Sequence, residues 1–168
     1  MTVFQKATTV FGLALVLVLC SGTASRAGQS SAVAAIHTAD DAWVKAYNAG
    51  QTENVVALYD ENAVLYAPGA VPLHGRAAIH AFFERGIADF AKTGLSFALG
   101  DNPGGGVSGD MGWSSGTWTV NDKEGKVVDS GWYFSVSRKV GGKWLYVRDS
   151  WNSDKPAAPA ASSAPAEK

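Results

Sequence analysis

The feature that most constrains this chain is a change of hydrophobic period at Gly94. Before it, apolar residues recur at helical spacing. Val33, Ile36, Trp43 and Tyr47 form one stripe, with Asp40 on it, and Ile79, Phe82, Phe83, Ile87 and Phe90 form another. After it the pattern alternates with period 2, in "LSFAL", "WSSGTWTV", "KVVDSGWYFSVSRK" and "GKWLYVRDSW". The turns between these stretches are "DNPGGG", "NDKEG" and "VGGK". Helices first and strands afterwards is an α+β order, not βαβ. Short connections favour antiparallel neighbours. The expected architecture is therefore three N-terminal helices on a curved antiparallel sheet. Such a sheet must cover its apolar face, and helices that fill the hollow incompletely leave a conical pocket.

Within the helical part, Asn48–Gly50 ends the first helix. Thr52 is placed to cap a short second helix carrying Val55, Leu58 and Tyr59, and "AVLYAPG" reads as a brief extended segment. In the strand from Val127, Val128, Trp132, Phe134 and Val136 make an apolar face. Asp129, Tyr133, Ser135 and Ser137 then read as its solvent face, and Gly116 reads as a bulge in the preceding strand.

The ends read differently. Lys6, the apolar run Val10–Cys20 and the small residues "SGTASRAG" have the order of a secretory signal peptide. The run is shorter than the ~20 residues of a membrane span. Cleavage is expected after Ala24 or Ala27, giving a leader of residues 1–27 and a periplasmic or secreted protein without a membrane span. Of the 14 basic and 15 acidic residues, the leader takes Lys6 and Arg26 and no acid, so the net charge moves from −1 to −3. The leader also takes the single cysteine, Cys20, leaving stability to packing alone. Residues 153–168 are rich in Pro, Ala and Ser with no apolar period, as in a disordered tail. Residues 28–152 form one domain. No long basic run gives a reason to expect nucleic-acid binding.

Asp149 stands out because it shares a strand face with Leu145, Val147 and Trp151. A carboxylate among apolar neighbours is a candidate acid, base or ligand anchor. It is equally a structural group bonded to backbone amides, Arg148, Tyr47 or a Trp indole. Asp40, one turn before Trp43, is the second candidate, either a partner of Asp149 for acid–base work or an N-terminal-turn acid or solvent-facing charge; Asp41 is expected to be exposed. All six tryptophans fall in the domain. Trp43, Tyr47, Tyr59, Phe83, Trp118, Trp132, Phe134 and Trp151 are the candidate lining for a small hydrophobic or aromatic molecule, or else ordinary core. His37, His74 and His80 lack metal-site spacing, so no metal is expected. "NPGGG" precedes no helix and is not a phosphate loop, and no other cofactor signature appears. Ser114 and Ser115 lack a nucleophile elbow.

The segments "AYNAGQTENVVALYDENAVLYAPGAVPLHGRAAIHAFF", "SGDMGWSSGTW", "DSGWYFSVSRKVGGKW" and "DSWNSD" resemble the SnoaL-like and ketosteroid-isomerase-like families of the nuclear transport factor 2-like superfamily. That resemblance implies a cone-shaped α+β fold with an internal pocket, often dimeric through the sheet. It implies no single activity. Ketosteroid isomerases place an aspartate base before the proline of "P…HGR", a tyrosine on the first helix and a protonated acid on the penultimate strand. The matching positions here are Ala67, Trp43 and, by ungapped counting, Phe134. None supplies the required group, so isomerase activity is not expected. The leading expectation is an exported pocket protein for a small, largely hydrophobic molecule. The alternatives are a cyclase-, dehydratase- or isomerase-like enzyme using Asp149 and Asp40, and a non-catalytic interaction module.

Overall fold

Ile79, Phe83 and Ile87 recur every fourth residue, and they are the buried residues of the helix Gly75–Thr93. In the computed structural model, which describes residues 18–155, the elements follow in the order α1 (Val18–Asn48), α2 (Thr52–Val56), β1 (Tyr59–Tyr66), β2 (Leu73–His74), α3 (Gly75–Thr93), β3 (Ser96–Leu99), β4 (Gly104–Ser108), β5 (Met111–Asn121), β6 (Val127–Val140) and β7 (Lys143–Ser153). Residues 1–17 of the expected leader and 156–168 of the expected tail lie outside the described residues. Residues 18–27 are the first turns of α1.

Glycine stops both long helices. At the end of α1, the Gln51 N–H bonds to the Ala46 carbonyl and the Gly50 N–H to that of Tyr47, around Gly50 at φ +73°. This is a Schellman closure, which requires a left-handed residue. Gly94, at φ +69°, caps α3.

The sheet runs β2-β1-β7-β6-β5-β3, with β4 also on β5. It is mixed, because β1 and β7 run parallel while the other pairs are antiparallel. α2 and α3 bury their apolar stripes with Val64's neighbours Ala63 and Leu65 of β1, in a core that also holds Ala46, Tyr59 and Tyr146.

Five sequence expectations change here. Gln51, not Thr52, is the N-cap position of α2. Tyr59 opens β1 instead of closing α2, paired with Tyr146 of β7. The glycines read as a turn form β4. They are glycines because space is short: a Cβ on Gly105 would lie 2.9 Å from both Val33 and His37 of α1, and one on Gly106 would lie 2.5 Å from the Trp113 indole.

The fourth change is the largest. The faces of β6 are the reverse of the hydrophobic pattern. Ser135 is 3 % exposed and Ser137 is buried, whereas Trp132 and Phe134 are 59 % and 48 % exposed. The inner face of β5 is likewise small, with Gly112 and Ser114 buried. Gly116 is not a bulge; it pairs regularly with Tyr133, and a Cβ there would strike the Tyr133 ring at 2.8 Å. Small residues on the concave side leave room beneath α1. The large apolar ones lie outside, where Trp113 stacks on Phe134 with centroids 6.1 Å apart.

Candidate functional site

A register shift between Val136 and Ser137 decides what faces the hollow. Val147 is the extra residue of this bulge on β7, so the row expected from strict alternation breaks. Tyr146, not Val147, joins Asp149 and Trp151 on the inner side. Val147 turns to an outer groove with Val136, Arg138 and Arg148. From α1, Asp40 and Trp43 enter the hollow one turn apart.

The hollow is a cavity of about 50 Å³, counted as room for the centres of water-sized spheres. Its lining is Asp40, Trp43, Phe97, Trp118, Tyr133, Ser135, Tyr146, Asp149 and Trp151, and its accessible wall is almost all carbon. Room for sphere centres understates the volume that whole atoms fill, so the space holds more than one water and suits a small molecule.

The two carboxylates are held differently. Asp149 is 9 % exposed. The Tyr59 hydroxyl donates to its Oδ2 at 2.5 Å, and Ser135 Oγ donates to its Oδ1 at 2.7 Å. Trp43 Nε1 donates to the Tyr59 oxygen at 3.1 Å. An indole N–H only donates, so the Tyr59 proton is directed at Asp149. Both Asp149 oxygens are therefore taken at short range.

Asp40 is 5 % exposed, and its Oδ1 accepts from Tyr146 at 2.6 Å and from Ser114 at 3.2 Å. Its Oδ2 has weaker company. The Tyr133 hydroxyl and His37 Nδ1 each stand 3.5 Å away. His37 Nδ1 is buried and makes no hydrogen bond. Oδ2 is thus the more weakly held oxygen of a carboxylate that lines the hollow.

Burial raises both carboxyl groups above the ordinary aspartate value of 3.8, against the opposing pull of their tyrosine and serine donors. Each is also linked to the other, since the charge of Asp40 adds to the rise at Asp149. The phenols of Tyr59 and Tyr146 are pushed well above the usual range, first by burial and then by the carboxylates beside them. They therefore stay protonated and act as donors.

The structure brings together Asp149, Asp40, Trp43, Trp118 and Trp151 of the residues singled out in the sequence. Tyr59 lies fully buried behind Asp149. Tyr47 stacks on Trp43 at 4.9 Å, and Phe83 meets Trp43 edge-on at 5.6 Å, both outside the lining. Trp132 and Phe134 are on the outer face and do not line the cavity. Tyr133, Ser135, Tyr146 and Phe97 are lining residues that the sequence pattern did not mark. The matching row Gly112, Ser114 and Gly116 on the neighbouring strand was their one available signal. Among the described residues, no cluster of His, Cys, Asp or Glu is arranged to hold a metal ion.

Residues 41–147 match the family model of the SnoaL-like domain, which is more than half of the chain. The chain belongs to the SnoaL-like family. This SnoaL-like chain is similar in structure to an NTF2-like protein with a cystatin-like fold from Novosphingobium aromaticivorans, at 18 % identity and a TM-score of 0.66, over 80 % of this chain and 88 % of that one. An NTF2-like protein of unknown function from Pseudomonas putida gives 17 % identity and 0.66, over 73 % and 87 %. A ketosteroid isomerase-like protein from Erwinia carotovora gives 20 % and 0.57, over 74 % and 97 %. At these identities the likeness establishes the NTF2-like fold and not an activity. No curated protein matches the SnoaL-like chain.

Proposed function

We propose that this SnoaL-like protein is exported and binds a small, largely apolar molecule in the hollow between α1 and the sheet. The observation that carries this reading is a carbon-walled cavity lined by a carboxylate, Asp40, whose Oδ2 has only long contacts to its donors. Carbon walls favour apolar groups, and a single weakly held polar atom fixes orientation. Trp43, Trp118 and Trp151 line the space, so occupancy is expected to change indole emission. The test is native mass spectrometry of the protein purified from its own host, followed by fluorescence titration of any co-purified molecule. A bound species that shifts tryptophan emission supports the reading. Absence of any bound species, together with silent titration of small aromatic and aliphatic probes, counts against it. Recovery from the periplasm or medium with a processed N-terminus tests export.

A second reading is acid–base catalysis by Asp40, of the cyclase, dehydratase or isomerase type, with Asp149 holding the frame. Two buried carboxyls with raised proton affinity favour it. It predicts turnover lost in Asp40→Asn with binding retained. The exposed row of Trp113, Trp132 and Phe134 favours, separately, a homodimer through the outer sheet face, checked by light scattering.

A further inference from the structure

The charge of the hollow narrows the ligand class, an inference that rests on the pocket reading above. The lining contains two acids and no basic residue. Of its hydroxyl donors, Tyr146 is committed to Asp40 and Ser135 to Asp149, while Tyr133 reaches Asp40 only at 3.5 Å. A ligand carboxylate or phosphate would meet two acidic groups and no cation. A ligand that only accepts hydrogen bonds would find few free donors. What remains open is an acceptor, Asp40 Oδ2, with its nearest protein donors 3.5 Å away. The rings of Trp43, Phe97, Trp118 and Trp151 line the same cavity. Aromatic rings attract cations through their quadrupole, most strongly where water is excluded. Asp149 is the less inviting acceptor, because each of its oxygens already holds a short hydrogen bond.

We propose that the cavity selects a small alkylammonium ion, with its N–H group on Asp40 Oδ2 and its alkyl body among the aromatic rings. The cavity's small size limits the body to a compact alkyl group. His37 is outside the lining and reaches the same Oδ2 at 3.5 Å. Its Nδ1 is the neighbouring group that competes for that oxygen.

Three probes with one tert-butyl body decide the matter: tert-butylammonium, tert-butanol and pivalate. Each is titrated into the purified protein at pH 8 and followed by tryptophan fluorescence. The ammonium is expected to bind about tenfold or more tighter than the alcohol, and pivalate more weakly than either. In Asp40→Asn the ammonium and alcohol are expected to converge. An alcohol or pivalate that matches the ammonium overturns the selectivity and leaves the pocket standing. Failure of all three overturns both. A preference that survives in folded Asp40→Asn overturns the assignment to Asp40. If that variant does not fold, the carboxyl ¹³C shift of Asp40 in the unaltered protein decides instead: movement with the ammonium supports the contact, and no movement overturns it.

Discussion

Asp40 and Asp149 line one cavity, are both nearly inaccessible, and are both driven toward their protonated forms by burial. They differ in what their oxygens touch. Asp149 has a short hydrogen bond on each oxygen and a relay from Trp43 through Tyr59 behind it. Asp40 has close donors on Oδ1 alone. The contrast shows that burial alone does not mark a working carboxylate. A group whose acceptors are all filled by its own protein serves the fold, and one with an acceptor left over can serve a ligand.

Removing the better-satisfied group should hurt the fold most. Asp149→Ala strands the Tyr59 and Ser135 hydroxyls in a buried site. Each unsatisfied group costs about 1–3 kcal/mol, so a loss of about 3 kcal/mol is expected in urea unfolding. Asp40→Asn should cost about 1 kcal/mol, because the amide oxygen still accepts from Tyr146. Equal losses for the two variants would erase the comparison.

The next effect is on pH dependence. A carboxyl with a raised folded pKa binds its proton more tightly in the native state than in the unfolded one. Stability therefore falls as pH rises from the unfolded value near 3.8 through the raised folded value, and is level above it. Asp40→Asn removes one such group, so its stability deficit relative to wild type should shrink as pH rises through that window. Asp60 works in the opposite sense. Its carboxyl is lowered, first by the Asn62 backbone N–H, so its contribution is lost as pH falls through its folded value. Urea midpoints across acidic and neutral pH separate the two. A deficit in Asp40→Asn that is constant across the series would contradict the raised carboxyl.

The smallest effect expected is at the outer face. Trp132→Ala should change monomer stability by no more than about 0.5 kcal/mol, because the side chain already faces water. Trp118→Ala, its inward counterpart on β5, should cost about 3–5 kcal/mol. A large loss at Trp132 in a monomer would reverse the assignment of faces.

The order of elements was readable because the period change at Gly94 is a local property. The stripe of α3 and the glycine stops of α1 and α3 likewise depend on near neighbours. Asp40, Trp43, Trp118, Asp149 and Trp151 were legible as unusual residues, and they do meet in one hollow. The faces of β6 were not legible. Alternation identifies two faces but not which of them looks inward, and here the aromatic face looks out. The bulge at Val147 shifts parity by one residue without any glycine or proline to announce it. Strand β4 was hidden because its glycines answer a distant demand, the close passage of α1 and Trp113.

The most direct test is a carboxyl-detected NMR titration of the protein with whichever tert-butyl probe binds most tightly. The account predicts that the Asp40 carboxyl and the indoles of Trp43, Trp118 and Trp151 respond together while the Asp149 carboxyl stays nearly fixed. Movement of Asp149 without Asp40, or changes confined to the outer groove at Arg138 and Arg148, would contradict it.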